Sequence, residues 1–262
     1  MTKKIYLIGT LLAVDVILLL VILITKNKEK TFISPVSTSE EIVQVPPTVI
    51  PTTIIPTITI EKEITIKNVL WDVPFTCQAP FGQWSDPRQQ DACEETAALM
   101  AVHFAKKQTQ NPTKEEALKE ILDIVNYQIN QFNEYRDTSA FDTAERVIKG
   151  YYGYNRFSLR QVSSAKDIIL QLLKGNVVIV PVNGRLLNNP NFTAPGPERH
   201  MVLVRGYDLQ SDEFITNDPG IWQGEKYRYP ALVLFAAIRD YSTGFKIPIT
   251  EIKKTMIVVE KE

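Results

Sequence analysis

The sequence predicts an α+β domain in which an N-terminal helical part packs on a C-terminal antiparallel sheet. Helix-like segments with capping signals come first, between about residues 91 and 174. Short segments rich in β-branched residues, separated by Gly, Pro, Asn or Asp, come afterwards. Helices followed by strands are typical of the α+β class. The domain is expected over 66–262, which is long enough to bury one core.

The helices are recognised by their N-terminal signals. Asp91, with Glu94 three residues later, has the form of a capping box and predicts a helix that runs to Lys107. Thr113 and Glu116 predict a second helix in the same way. Further helices are expected over 139–149, over 164–174 with Gly175 as the stop, and around 230–239.

Four later segments have the composition of strands. They are Val177–Val182, His200–Tyr207, Glu213–Thr216 and Thr255–Glu260. If the second and third pair as a hairpin, the residues that follow the third, Asn217 and Asp218, return to the end of the sheet where His200 begins.

The N-terminus predicts a membrane anchor within residues 1–30. From Ile5 to Thr25 the chain is apolar except for Asp15, and its length as a helix matches the ~30 Å hydrocarbon core. Residues 31–65 hold five prolines among Thr, Ile and Val, which is typical of a semi-stiff linker. We expect a single-pass anchor with the domain outside the cytoplasm. The alternative for the end of the linker is a strand of the domain, built on Ile58, Ile60, Ile64 and Ile66.

Composition and motifs exclude several function classes. The chain of 262 residues has 29 Lys and Arg against 30 Asp and Glu, whereas nucleic-acid binders are usually strongly basic. Two Cys and two His are too few for a disulfide scaffold and almost too few for a structural zinc site. The motifs of zincins, serine hydrolases, P-loop proteins and dinucleotide-binding proteins are missing from the sequence. No metal or organic cofactor is implied.

The candidate nucleophile is Cys93, in the first turn of the first predicted helix. A helix N-terminus offers unpaired N–H groups and positive potential, which favour a thiolate. A cysteine at this position is also commonly a small buried residue. His103 lies ten residues further along the same helix, roughly 15 Å away, so it does not reach the thiol. His200 is the remaining imidazole, and Asp218 or Asn217 is placed to hold its tautomer.

Four segments in a fixed order resemble the cysteine peptidases related to the double-glycine, bacteriocin-processing peptidases of the papain superfamily. They are Val73–Pro80, Asp91–Ala101, Arg199–Asp208 and Thr216–Pro219. The resemblance covers most of 70–262 and implies a papain-like fold. It also implies Cys93 as nucleophile, His200 as general base and acid, Asp218 as orienting residue and Gln78 as oxyanion-hole donor.

The resemblance has departures that leave alternatives open. Gln78 precedes Cys93 by a longer interval than is usual in the bacteriocin-processing members, so Gln89 or Gln90 is an alternative donor. Glu94 stands where many relatives carry Gly, and Asn217 is the alternative orienting group. Cys77 is near enough in sequence to form a disulfide with Cys93, although an extended chain that turns Gln78 toward the site would turn Cys77 away.

The function expected from these residues is a membrane-anchored thiol hydrolase that cleaves peptide bonds of peptide or protein substrates through a thioester intermediate. The alternatives are a papain-like binding module at the cell surface without hydrolytic activity, and a thiol acyltransferase or peptidoglycan amidase. The predicted partners are a peptide or protein substrate and the membrane, not a nucleic acid.

Overall fold

The computed structural model of the protein describes residues 65–262. The predicted anchor at 1–30, and all of the predicted linker except its last residue, lie outside the described residues. Between 65 and 262 no helix combines the length and the apolar character needed to cross a membrane.

Besides a short 3-10 helix over Gly184–Leu187, six helices precede or interrupt the strands in the described part of the chain. In chain order they are α1 Pro87–Gln90, α2 Cys93–Ala105, α3 Lys114–Phe132, α4 Ala140–Asp142 continued as a π-helix over Thr143–Tyr151, α5 Ala165–Leu173 and α6 Ala231–Ala237. The predicted helices are therefore confirmed in number and place, and α1 is an additional short one.

The start of α3 follows the sequence prediction, whereas the start of α2 does not. Thr113 accepts from the N–H of Glu116 and the Glu116 carboxylate accepts from the N–H of Thr113, which completes the predicted capping box. The predicted N-cap at Asp91 is wrong. Asp91 instead ends α1, and α2 begins after Ala92, which provides no capping side chain. Because Asp91 is the C-cap of the short helix α1, it is not the residue from which α2 begins.

Within residues 65–262, seven strands form one antiparallel sheet. They are β1 Val69–Leu70, β2 Phe157–Gln161, β3 Val177–Val182, β4 His200–Asp208, β5 Glu213–Asn217, β6 Tyr227–Pro230 and β7 Thr255–Val259. The order is β2-β7-β3-β4-β5-β6, with β1 paired to β4. The four predicted strands are confirmed to within one residue at each end.

Helices cover both faces of the sheet. Ile179 and Leu203 belong to the core formed with α2, α3 and α4, whereas their neighbours Val180 and Val204 belong to the core formed with α5 and α6. This alternation explains why β3 is apolar throughout, since both of its faces are buried. The predicted packing of N-terminal helices on the sheet is thus confirmed for one face. The prediction did not include the packing of α5 and α6 on the second face.

The packing of the core places the start of α2, the start of β4 and the end of β5 near one another. Helix α2 is buried except for His103, and the small side chains of Ala97, Ala98 and Ala101 let it pack closely on the sheet. Strand β4 pairs with β3 on one side and β5 on the other. The predicted hairpin of β4 and β5 is confirmed, and it brings the residues that follow β5 back to the start of β4.

Candidate active site

A cleft of about 500 Å³ opens at the N-terminus of α2. Cys93, His200 and Gln78 all line it, although they belong to three different parts of the chain. Asn217 and Asp218 do not line the cleft and are buried behind it. The predicted site residues therefore converge on one region of the molecule.

The imidazole of His200 is bonded to Asp218. Nε2 of His200 lies 2.7 Å from Oδ1 of Asp218, and both side chains are almost completely withdrawn from solvent. Nδ1 is thereby the nitrogen left for the cleft. Of the two orienting residues left open by the sequence, Asp218 is the one that contacts the histidine.

Asn217 has a different set of partners. Its Oδ1 accepts from the buried guanidinium of Arg205 at 2.9 Å, and its Nδ2 donates to the carbonyl of Pro74 at 3.0 Å. Arg205 also donates twice to the carbonyl of Trp71. These bonds fasten the end of β5 to the segment that leads into Gln78.

Asp218 is held by donors other than His200. The hydroxyl of Tyr229 donates to Oδ2 at 2.6 Å, and the N–H of Gly220 donates to Oδ1 at 3.0 Å. Burial, followed by the neighbouring Asp218 carboxylate, raises the pKa of Tyr229, so the phenol keeps its proton and remains a donor. Asn189 in turn donates to the Tyr229 oxygen at 2.6 Å.

Two further residues confine the imidazole ring. The ring of Phe192 meets that of His200 edge to face, with 5.3 Å between the centroids. On another side, a Cβ added to Gly220 would lie 2.8 Å from Cε1 of His200. The ring position thus depends on a glycine at 220.

Cys93 is the first residue of α2. Among residues 65–262 no acceptor takes its backbone N–H, which lies at the positive end of the helix dipole. The Cys93 thiol is directed at the neighbouring carboxyl, with 3.1 Å between Sγ and Oε2 of Glu94. Burial, and then the charge of Glu94, raise the pKa of Cys93 well above its ordinary value.

The amides offered as oxyanion donors differ in their availability. Gln78 is buried at the cleft, but its Nε2 donates to the carbonyls of Gln89 and Gln90 at 2.9 and 2.8 Å. Gln89 is buried outside the cleft lining and donates to Gln83. Gln90 is exposed and lines the cleft. The N–H of Gln78 also bonds the carbonyl of Pro219, which keeps this glutamine beside the Asp218 loop.

The remaining Cys and His lie outside the cleft lining. Cys77 and Cys93 are both free thiols, and burial raises the pKa of Cys77 to about 11. His103 pairs with Glu120, with 2.9 Å between Nε2 and Oε1, as expected of a packing residue on α2. No group of three or more potential ligands is arranged for a metal ion within the described residues.

The model of the Peptidase_C39-like family matches residues 71–242, which include all of the cleft residues named above. The chain belongs to the Peptidase_C39-like family. It is a cysteine peptidase with a papain-like fold, as the resemblance implied. No curated protein matches the chain.

Solved structures similar to this C39-like peptidase include two bacterial proteins. One, from Bacillus anthracis and described as C39-like peptidase, is 16% identical with a TM-score of 0.48, covering 75% of this chain and 98% of the other. The second is xylellain, a cysteine protease from Xylella fastidiosa. It is 15% identical with a TM-score of 0.31, covering 65% of this chain and 80% of the other.

The sequence did not point to several side chains of this C39-like site. Tyr229, Asn189, Phe192 and Tyr241 carry no motif, and they reach the site only through strand pairing and loop packing. The sequence marked Glu94 as part of a capping box and as a departure from the pattern of the relatives, but not as a partner of the thiol. Its position next to Cys93 was the available signal.

Proposed function

We propose that this C39-like protein hydrolyses peptide bonds of peptide or protein substrates with Cys93 as nucleophile, His200 as general base and acid, and Asp218 as the residue that orients His200. The observation that carries the proposal is the 2.7 Å contact between Nε2 of His200 and Asp218, which leaves Nδ1 for the cleft that Cys93 also lines. A nucleophile, a base and a group that orients the base are the minimal set for covalent acyl transfer.

The reaction consists of two acyl-transfer steps. The proton of the Cys93 thiol passes to Nδ1 of His200, and Sγ forms a bond to the scissile carbonyl carbon. The C–N bond then breaks as His200 returns the proton to the leaving amine, which leaves a thioester on Cys93. Water attacks the thioester carbon and passes one proton to His200. The C–S bond then breaks as His200 gives that proton to Sγ, and the product acid departs and loses its own proton to solvent.

The oxyanion of each tetrahedral intermediate needs donors beside Sγ. The N–H of Cys93 is suited because it has no acceptor among the described residues and lies at a helix N-terminus. For the second donor we propose the amide of Gln78, which would give up one of its two carbonyl partners to the oxyanion. Gln90 is the alternative, since it lines the cleft and is exposed.

We further propose that residues 1–30 anchor the enzyme in a membrane, with the linker 31–65 holding the domain outside the cytoplasm. The apolar run from Ile5 to Thr25 and the proline-rich spacing support this. Alkaline carbonate washing of membranes tests the anchor. The full chain should stay with the membrane and a variant lacking 1–30 should not, and release of both would refute the anchor.

Hydrolysis is tested on a proteome-derived peptide library with the full chain in detergent micelles. New peptide ends, with one ¹⁸O per new carboxylate when the reaction runs in H₂¹⁸O, are expected from the wild type and not from Cys93→Ala. Cys77→Ala is the matched control, because that thiol lies outside the cleft lining. Cleavage retained in Cys93→Ala would overturn the nucleophile, and products joined to added amines without ¹⁸O would indicate an acyltransferase.

A further inference from the structure

Glu94 is a buried carboxyl in direct contact with the proposed nucleophile. It is only 1% exposed, yet it lines the cleft. One oxygen, Oε2, lies 3.1 Å from Sγ of Cys93, and the other, Oε1, accepts from the hydroxyl of Tyr241 at 2.6 Å. The thiol hydrogen is therefore directed at Glu94, while the imidazole of His200 is held by Asp218.

The charge of Glu94 is set by two opposing effects. Burial raises the pKa of this carboxyl to about 7, against the hydrogen bonds from Tyr241 and Cys93, which lower it. A carboxylate at this distance opposes formation of a thiolate, and the Glu94 charge indeed raises the pKa of Cys93. A neutral carboxylic acid has the opposite effect, since its O–H can donate to a thiolate.

Charged and titratable groups from several elements face this pair. They are Glu95 of α2, Asp91 before it, Asp137 from the loop before α4, Arg199 and His200 at the start of β4, and Tyr241 after α6. Arg199 lies 3.7 Å from the Asp137 carboxylate. Burial, followed by the charge of Glu94, raises the pKa of Glu95 well above its ordinary value.

We propose that Glu94 is a further catalytic residue, whose protonated carboxyl supports attack by Cys93 and whose ionised form retains the thiol proton. The peptidase consequently works in acidic to neutral solution and loses activity as the solution becomes alkaline. This role rests on the proposed function for the identity of the nucleophile.

Each state has a defined proton balance. With Glu94 neutral, the Cys93 proton moves to Nδ1 of His200, and the Glu94 O–H donates to the resulting thiolate and keeps its own proton. With Glu94 ionised, the S–H donates to the carboxylate, and a second negative charge beside the first opposes thiolate formation. No oxidant, reductant or metal takes part in either state.

Site-resolved alkylation by iodoacetamide tests the proposal on the full chain in detergent micelles, with mass spectrometry at pH 5.5 and 8.5. At pH 8.5, Cys93 of Glu94→Gln should react roughly tenfold or more faster than wild type, because a like charge beside the thiol shifts its pKa by one unit or more. At pH 5.5 the two rates should agree within about threefold. Glu95→Gln is the matched control, since it removes a buried carboxyl of the same helix that does not touch Sγ, and it should change the rate at pH 8.5 much less than Glu94→Gln does.

A second variant keeps Glu94 in place. Tyr241→Phe removes the donor that stabilises the carboxylate, so the pH at which Cys93 reactivity falls should rise by roughly one unit.

Equal alkylation rates of Glu94→Gln and wild type at pH 8.5 would overturn the proposal. Slower alkylation of Glu94→Gln at both pH values would also overturn it and would identify Glu94 as a base instead.

Alkylation does not depend on substrate, so the two proposals fail separately. Cleavage retained in Cys93→Ala would overturn the proposed nucleophile, whatever the alkylation rates show. Equal rates in Glu94→Gln and wild type, with cleavage lost in Cys93→Ala, would overturn only the role of Glu94.

Discussion

Nε2 of His200 lies 2.7 Å from Oδ1 of Asp218, at the end of two strands that the sheet pairs side by side. A carboxylate at this position accepts a hydrogen bond from the Nε2–H group and leaves Nδ1 unprotonated in the neutral ring. Nδ1 is then the base available to Cys93, which lines the same cleft. The contact thus fixes the tautomer of the histidine and leaves Nδ1 as the nitrogen that acts in the proposed reaction.

The contribution of Asp218 is measurable by two substitutions. We expect Asp218→Ala to lower kcat by roughly 10²-fold or more, because general acid–base catalysis of that size depends on a correctly held imidazole. Asp218→Asn should lose less, because its amide oxygen still accepts from Nε2. Steady-state rates on a peptide cut by the wild type measure both, and an unchanged kcat in Asp218→Ala would contradict the role of this residue.

Tyr229 should act on catalysis through Asp218. Tyr229→Phe removes the 2.6 Å hydrogen bond to a buried carboxylate, and we expect kcat to fall while KM stays unchanged. The free energy of unfolding should fall by about 1.5–3 kcal/mol, the usual size for a hydrogen bond to a charged group. Tyr227→Phe is the matched control, because the ring of Tyr227 packs on the ring of Tyr229 without a hydrogen bond to Asp218. Equal kcat values in the two variants would refute the role.

Replacement of Gly220 by alanine tests whether the position of the His200 ring limits the rate. In Gly220→Ala the new Cβ would lie 2.8 Å from Cε1 of His200, so the ring or the loop has to move. We expect a lower kcat with an unchanged far-ultraviolet circular dichroism spectrum. Full activity in this variant would show that the ring tolerates displacement from Asp218.

Much of the site could be predicted because its residues are marked by local patterns. Cys93 lies near a helix start, His200 at a strand start and Asp218 in a turn, and a hairpin of adjacent strands brings the last two together. The N-cap itself was misplaced by one residue, because Asp91 is the C-cap of the short helix α1.

The side chains that bond to the site residues could not be predicted, because these contacts join distant parts of the chain. The bond from Tyr241 to Glu94 joins residues separated by 147 positions, and nothing near either residue marks the pairing. Strands β1, β2 and β6 were missed for a different reason, and β1 has only two residues. The half-buried strand β2 is polar, and β6 is short and ends at Pro230, so neither has the composition of a buried strand.

The raised pKa of Glu94 predicts a pH dependence of stability. Because the folded protein holds this proton up to about pH 7 whereas the unfolded chain releases it near its ordinary value of 4.5, the contribution of Glu94 is complete below pH 4.5 and declines as the pH rises to 7. At about 1.4 kcal/mol for each unit of pKa, the decline is on the order of 3 kcal/mol.

Urea unfolding at pH 5 and pH 8 measures this decline. The free energy of unfolding of the wild type should fall more between the two pH values than that of Glu94→Gln, which has no carboxyl to titrate. A parallel pH dependence in the two proteins would show that Glu94 titrates at its ordinary value.

The most direct test of the Cys93 and His200 pair is the rate at which iodoacetamide labels each cysteine at pH 6. An unperturbed thiol with a pKa of ~8.5 reacts slowly at that pH, whereas a thiolate paired with an imidazolium reacts fast. The account predicts fast labelling of Cys93, slow labelling of Cys77, and loss of the fast reaction in His200→Ala. Cys93 labelling that is equally fast in His200→Ala, or slow in the wild type, would contradict the pair.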